Sequence, residues 1–465
     1  MPGFGGILSI ARGALSTSQA AVQIASHNIA NANTPGYSRQ REVLSSTAPE
    51  STPLGIFGTG VQLSTVQRIR DGMLDQQFRD ASAQSSAYSM RSDLLQRVES
   101  VFNEPSDTGL SFALDQFYNA WSDLASNPSN ASAKTVVQQR GIALASTFNG
   151  ISSQLDRLST ESVARAQSYV SDINRIAGQL ADINRQLVPM ESSGDVASDL
   201  RDQRDVLLDE LGKIATVRVI DRPDGSNQVL LGTLSLVDGN NAKQIQLGSA
   251  GGNLSLQIVG SADKIRNVGG ALGALQQVRN TDLGKVRTDL DTLAAAVITD
   301  INALHRTGWS PTAATPAGPW VGSGVDFFDA TAGNTTAGNI RLSATVAADA
   351  DSIATGTTLS ASGDNSLALA IAALRDGAPS AANSTFGSDL RVIVGNVAGQ
   401  VNQAKNSATV YSTLTDQAEQ RRTSVFGVSV DEELIQVMRQ QQAYSAASKI
   451  ISTVDEMMQT LLALK

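Results

Sequence analysis

The sequence predicts a mainly α fold with an inserted β domain: terminal coiled-coil helices, a long-helix bundle body and a small all-β insert. Three observations carry this prediction. Apolar residues recur at heptad spacing near both ends of the chain, a three-and-four spacing runs from Leu144 to Leu187, and after Ile214 the apolar period changes to two.

Composition narrows the function classes. The 465 residues suffice for roughly two to four domains. Aromatic residues make up only 4% of the chain, so long helices packed through small residues are expected in place of one large core. The formal charge of -9 is spread without a basic block, which argues against nucleic acid and against an anionic membrane surface. Cysteine is absent, excluding a disulfide framework and a thiolate metal site. The N-terminal region lacks the basic cluster and apolar run of a cleavable signal, and no apolar run approaches membrane-spanning length. No membrane insertion is expected, and export would need a route independent of such a signal.

Residues 1–38 carry one charged side chain, Arg12. Leu8, Leu15, Val22 and Ile29 recur every seven positions, and Ala11, Ser18, Ala25 and Ala32 follow each by three. This is a heptad seam with a large residue at one core position and a small one at the other. Four heptads span about 42 Å of helix. The helix is expected to stop at Thr34-Pro35-Gly36-Tyr37, where Pro35 disfavours helical geometry at Thr34 and Pro-Gly suits a type II turn.

A loop-rich piece with Pro49, Pro53, Gly55, Gly58 and Gly60 precedes Val61, Leu63 and Val66, a short extended or hairpin segment. A helix is expected over about 70–102, and Asn127-Pro128 suits the start of a long one. Its seam runs Leu144, Phe148, Ile151, Leu155, Leu158, Ser162, Ala166, Tyr169, Ile173, Ile176, Leu180, Ile183 and Leu187, with a stutter at Ser162 and an end at Pro189. The whole helix would be about 90 Å long. Gly150 and Gly178 inside it each cost roughly 1 kcal/mol against Ala, so packing must hold it. A further helix is expected over about 195–213.

Period two then sets in at Val217, Val219, Leu230, Leu234, Leu236, Ile245, Leu247, Leu254, Leu256 and Ile258. Asp224-Gly225, Asp238-Gly239 and Gly251-Gly252 supply turns. Helix returns over about 270–306, followed by a Gly/Thr/Ala/Pro-rich stretch of loops and short strands, 307–363. The closing helices span about 366–375 and 387–427.

At the far end, Ser429-Val430-Asp431-Glu432 forms a capping-box pattern, with acids favoured at the helix N-terminus. The seam that follows is Leu434, Val437, Gln441, Tyr444, Ala447, Ile451, Val454, Met458 and Leu461. Two readings fit the terminal helices: each is an amphipathic helix on its own domain, or the two pair. The first helix offers only Ser, Gln, Asn and Ala opposite its seam, where a solvated helix would show charge. That favours pairing, Tyr444 and Met458 filling the small positions, and ordering within an assembly of many copies. The resulting units are 1–60 with 428–465 as a terminal coiled-coil unit, 61–213 with 266–306 and 364–427 as a helical bundle, 214–265 as the β insert, and 307–363 as an attached segment.

Reactive constellations are sparse. His27 lies on the polar side of the first helix, and His305 ends a helix as a partner for its dipole. No H-E-x-x-H, G-x-S-x-G or P-loop pattern occurs, so no catalytic, cofactor or metal site is expected. The acid pairs Asp199/Asp202 and Asp289/Asp291 share helices with Arg and fit solvated faces. Trp121, with Phe112, Phe117 and Tyr118, fits either a stacking platform or, better, core packing of the helical body. Trp309 and Trp320 serve either as surface contacts or as anchors of their loop. A hydrolase in the β insert would need facing carboxylates, and Asp221, Asp224 and Asp238 are its only acids between about 214 and 260.

Residues 26–40, SHNIANANTPGYSRQ, and residues 428–464 resemble the N- and C-terminal signatures of the rod, hook and hook-associated axial proteins of the bacterial flagellum. Residues 103–134, 269–280, 324–328 and 339–354 are similar to the hook-associated branch; the resemblance thins over about 215–265 and 308–322. It implies an extracellular structural subunit at the hook–filament junction, secreted through the flagellar type III export apparatus. Implied partners are further copies of itself in a ring, the hook protein, hook-associated protein 3 and a flagellar export chaperone. The candidate assembly interface comprises the seam residues Leu8, Leu15, Val22 and Ile29 with the motif residues Asn28, Asn31, Asn33, Thr34, Pro35, Gly36 and Tyr37. From the C-terminal helix it takes Leu434, Val437, Gln441, Tyr444, Ile451, Val454, Met458 and Leu461. The alternatives are a hook or distal rod subunit, or a secreted coiled-coil effector or adhesin.

Overall fold

A computed structural model describes residues 4–52, 55–192, 196–250, 252–261, 263–309, 324–359, 361, 363–377 and 384–463. Pro53, Gly251, Trp320 and the expected helix start at Asp195 lie outside the described residues. Helix α1 (Phe4–Ala30) leads into a hairpin whose strands β1 (Gln40–Ser46) and β4 (Val61–Arg68) pair antiparallel. Strands β2 (Glu50–Thr52) and β3 (Gly55–Phe57) form a smaller pair between them. The larger hairpin closes across residue 60, the position used above as a unit boundary.

The body is built on helices α2 (Gly72–Phe102), α3 (Leu110–Ser126), α4 (Ala131–Glu191) and α5 (Ser198–Ile214). Along α4 the seam from Leu144 to Leu187 is buried at every position except Leu158 and Tyr169, which are half-buried. At the stutter the buried Ser162 hydroxyl is satisfied within the helix, donating to the Leu158 carbonyl at 2.7 Å. Three expectations need correction here. Asn130, not Asn127, caps α4, its side chain accepting from the N–H groups of Ser132 and Ala133. Asn127 instead follows the last residue of α3, a helix that the reading above leaves unassigned. Pro189 does not end α4, which continues to Glu191; so near the C-terminus few bonds depend on the proline.

The insert holds a four-stranded sheet, β5 (Val217–Asp221), β6 (Asn227–Leu231), β7 (Leu234–Asp238) and β8 (Asn241–Ala242), in sequence order. A three-stranded sheet follows from β9 (Ile245–Ala250), β10 (Asn253–Ile258) and β11 (Lys264–Ile265), with β10 central. Positive φ at Gly225, Gly239 and Gly252 places all three expected turns. In β6 the buried residues are Asn227, Val229 and Leu231, so Leu230 belongs to the other face, next to a register shift between Val229 and Leu230.

Helix α6 (Gly270–Gln277) passes through one π turn (Val278–Asp282) into α7 (Leu283–His305). Within that turn the Asn280 side chain exchanges two 2.8 Å hydrogen bonds with the backbone of Leu254, which fixes the second sheet to the body. The segment after α7 carries a short helix α8 (Ala344–Ala348) where only loops and strands were expected. Phe327 and Phe328 are fully buried there; Phe327 packs edge-on against Phe117 and tilted against Trp121, and Phe328 is tilted against Phe117. Trp309 bridges to Gly356 through its backbone, which anchors its end of the loop. Helices α9 (Ser366–Ala373) and α10 (Phe386–Phe426) complete the bundle, and α11 (Val430–Ala463) ends the fold.

His305 is a correction. It is fully buried, its Nε2 accepting from Ala354 N–H at 3.1 Å, which makes Nδ1 the protonated nitrogen facing the Val325 carbonyl at 2.8 Å. Burial holds its pKa down to about 4, so the ring is neutral and is no cationic partner for the helix dipole. Phe112, 39% exposed, likewise lies outside the aromatic core that buries Trp121, Phe117 and Tyr118.

Candidate functional site

α1 packs along α11, and the end of α1 meets the start of α11, so the pair is antiparallel. The negative end of one helix dipole therefore lies against the positive end of the other. Within α1 the small seam residues Ala11, Ser18 and Ala25 are buried, whereas Leu8, Leu15, Val22 and Ile29 are half-buried. Within α11 the buried residues are Glu433, Ala447 and Val454, at heptad multiples from one another. Val437 and Ile451 are half-buried, and Leu434, Gln441, Tyr444, Met458 and Leu461 are exposed. Tyr444 and Met458, at 46% and 42% exposure, therefore do not fill the small positions of α1. The buried positions of the pair include Ala11, Ser18 and Ala25 on one helix and Glu433, Ala447 and Val454 on the other.

The turn after α1 is built around one side chain. Pro35-Gly36 occupies the centre of a turn closed by Tyr37 N–H to the Thr34 carbonyl at 3.2 Å, with Gly36 at φ 79° as type II geometry requires. Asn28, 1% exposed, fills all four of its hydrogen-bonding positions. Its Oδ1 accepts from Gln40 N–H at 3.0 Å and from the Tyr37 hydroxyl at 2.8 Å. Its Nδ2 donates to the Gln40 carbonyl at 2.9 Å and to Glu433 at 3.0 Å. Arg39 pairs with both Glu433 at 2.7 Å and Glu432 at 3.0 Å. Only half of the capping box forms, because the Glu432 carboxylate goes to Arg39. Burial raises the Tyr37 hydroxyl pKa, and Asp199, Asp202 and Glu433 add to that, so it remains a donor. Asn31 is half-buried, while Asn33, Thr34 and Pro35 face outward.

Behind the turn lies an ionic node that the sequence does not announce. Asp202, read above as solvated, is buried and accepts from the backbone N–H and hydroxyl of Ser38 at 2.9 and 2.7 Å. Arg68 bridges Asp202 and Asp205 at 2.9 and 2.7 Å, and Arg70 forks onto Asp75 while donating to Ser38. Arg79 reaches Asp205 and Asp209, and Arg422 pairs with Asp209 while stacking on the Phe78 ring at 4.0 Å. Four elements, β4, α2, α5 and α10, thus converge on the strand that leaves the turn. Burial alone would raise Asp205, but Arg70, Arg68 and Arg79 hold it below the usual carboxylate range. Burial keeps Asp202 raised despite its hydrogen bonds from Ser38 and Arg68. The signal available in sequence was the i, i+3 spacing of Asp202 and Asp205, which shares one helix face with Asp209.

The apolar side chains left uncovered are concentrated at the end of the chain. Among the described residues, ten of the thirty exposed large apolar side chains lie on α11, including Leu434, Ile435, Met438, Ile450, Met457 and Leu462. They point to several sides of the helix, more than α1 alone can cover. Among the described residues no group of three His, Asp or Glu is placed to hold a metal ion, and no helix is long and apolar enough to cross a membrane.

Comparison with known proteins gives matches to three family models. Residues 95–318 match the helical domain of the flagellar hook-associated protein FlgK, residues 8–37 the flagella basal body rod protein, and residues 420–464 the C-terminal part of the basal body rod FlgEFG proteins. The flagellar hook-associated protein 1 of Bacillus subtilis is 30% identical over 98% of this chain and 97% of its own length. That of Salmonella typhimurium is 26% identical over 98% of this chain and 99% of its own. Among solved structures, the flagellar hook junction protein FlgK from Burkholderia pseudomallei shares the fold, with a TM-score of 0.62 at 17% identity, covering 75% of this chain and all of that one.

Proposed function

The chain belongs to the flagellar hook-associated protein 1 family, and from that premise we propose that α1, the turn at 31–37 and α11 form the surface through which copies assemble. The protein is a structural component of the flagellum at the hook–filament junction, outside the cell, and not an enzyme. The observation that carries the assembly reading is the antiparallel pair α1–α11, locked at one end by Asn28, Arg39 and Glu433 and carrying apolar side chains on α11 that stay exposed among the described residues.

Several copies in a ring would cover those faces, with the hook protein on one side and hook-associated protein 3 on the other. Before export through the type III apparatus a cytoplasmic chaperone would shield α11. The unit that assembles is 1–60 with 428–465, and residues 61–68 travel with it through the hairpin. The bundle of 61–213, 266–306 and 364–427, the insert 214–265 and the segment 307–363 project from it. Electron microscopy of a deletion strain tests the proposal: hooks without filaments, and flagellin released as monomer into the medium, are expected. Filaments of normal length on normal hooks would refute it.

A further inference from the structure

A concave site lies where the terminal hairpin, the bundle and the β insert meet. Its cavity of about 480 Å³ is lined by Arg68, Arg70, Arg79, Arg201, Arg204 and Arg218. Asp75, Asp205 and Asp221 are the acids that share the wall. This cationic lining stands out in a chain of net charge -9.

Most of these guanidinium groups are already neutralised. Arg68, Arg70 and Arg79 belong to the ionic node, and Arg201 is held by Glu191. Arg204 and Arg218 differ. The Arg204 side chain is 3% exposed, and its Nη1 donates to the carbonyl of Gly225 at 2.8 Å and to Asn184 at 3.3 Å. Those are neutral acceptors. Its one ion pair is with Asp221, 3.8 Å from Nη2 and itself 79% exposed; buried Asp205 on the same wall also acts on its charge, and its buried Nε has no hydrogen-bond partner among the described residues. Arg218 is exposed on β5 and makes no ion pair among the described residues. A buried guanidinium whose one ion pair is long and solvent-exposed is costly, and burial pulls Arg204 below its ordinary pKa although Asp205 and Asp221 oppose that.

We propose that this cavity binds a phosphate-class oxyanion, held between Arg204 and Arg218. Two guanidinium groups on one wall suit a polyvalent oxyanion, which accepts several hydrogen bonds at once and adds charge where the Arg204 pairing is long and exposed. Because the wall draws on β4, α2, α5 and β5, the bound anion would brace the β insert against the base of the terminal unit. The inference is independent of the assembly surface on α1 and α11.

The test uses the full chain and isothermal titration calorimetry with sodium phosphate and sodium tripolyphosphate, against sodium chloride at matched ionic strength. Saturable binding of one anion per chain is expected. If phosphate suffices, the natural ligand is a free ion; if only tripolyphosphate binds, it is a phosphate polymer. Arg218→Gln should weaken binding by about tenfold and Arg218→Glu should abolish it. Asp221→Asn removes the competing carboxylate at an exposed position and should tighten binding. Heats that chloride reproduces, or binding that survives Arg218→Glu and ignores Asp221→Asn, would overturn the proposal.

Discussion

The side-chain amide of Asn28 donates to the carboxylate of Glu433 at 3.0 Å, a buried bond between residues 405 positions apart. It joins the end of the first helix to the start of the last, and Arg39 supplies the countercharge to the same carboxylate. Asn28→Ala would strand the N–H and carbonyl of Gln40, while the Tyr37 hydroxyl keeps His27 and Glu433 keeps Arg39. A loss of about 2–4 kcal/mol is expected, since each buried orphan costs on the order of 1–3 kcal/mol. Chemical denaturation measures the loss, and hydrogen exchange over 430–440 should quicken in the variant. Unchanged exchange there would show that the bond does not hold α11.

The ionic node gives a second prediction. Asp205→Ala leaves Arg68, Arg70 and Arg79 around an uncompensated gap and should cost about 3–5 kcal/mol. Asp172→Ala, an exposed acid on α4, should change stability by less than about 0.5 kcal/mol in the same assay. The folded-state pKa of Asp205 lies below the usual value. Its stabilising share is therefore complete above about pH 4 and lost as pH falls through that lower folded value.

His305 gives a stability loss of the same sign at a higher pH. Its folded pKa of about 4 lies below the ordinary value near 6.5, so between the two the unfolded chain binds a proton that the native chain does not. Stability should fall as pH drops through that window, by up to about 3 kcal/mol from this group. His305→Gln should flatten the dependence between pH 6.5 and 4, whatever it does to stability at pH 7. A slope identical to that of the parent would contradict the assignment.

Two aromatics on one helix should behave differently. Trp121 is fully buried against Phe117 and Phe327, and Trp121→Ala should cost about 3–5 kcal/mol. Phe112 is 39% exposed, and Phe112→Ala should cost far less. Thermal denaturation of the two variants side by side decides it.

Periodicity made the long elements legible. The α4 seam, the two terminal heptads and the switch to period two each depend on one face being buried, a property that local sequence records directly. Leu110, Leu114, Phe117, Trp121 and Leu124 carry the same signal for α3. Partnership is what local sequence does not record. Asp202 has the composition of a solvated helical acid, and only the fold brings Ser38 and Arg68 to it. His305 has the position of a dipole partner, and only tertiary packing removes its water. The β6 register failed for a smaller reason, since Val229, Leu230 and Leu231 are all apolar and alternation cannot choose between them. At the terminal pair the large residues drew attention, yet Tyr444 and Met458 stay exposed while Ala11, Ala25 and Ala447 are buried.

If α11 serves assembly and not the folding of the body, a chain lacking residues 430–465 should fold but not incorporate. The decisive measurement expresses that truncated chain in the deletion strain and looks for it in purified flagella. A soluble middle that keeps its cooperative thermal transition, is absent from the flagella and leaves hooks bare is predicted. Filaments growing on junctions that contain the truncated chain would contradict the assembly role of α11.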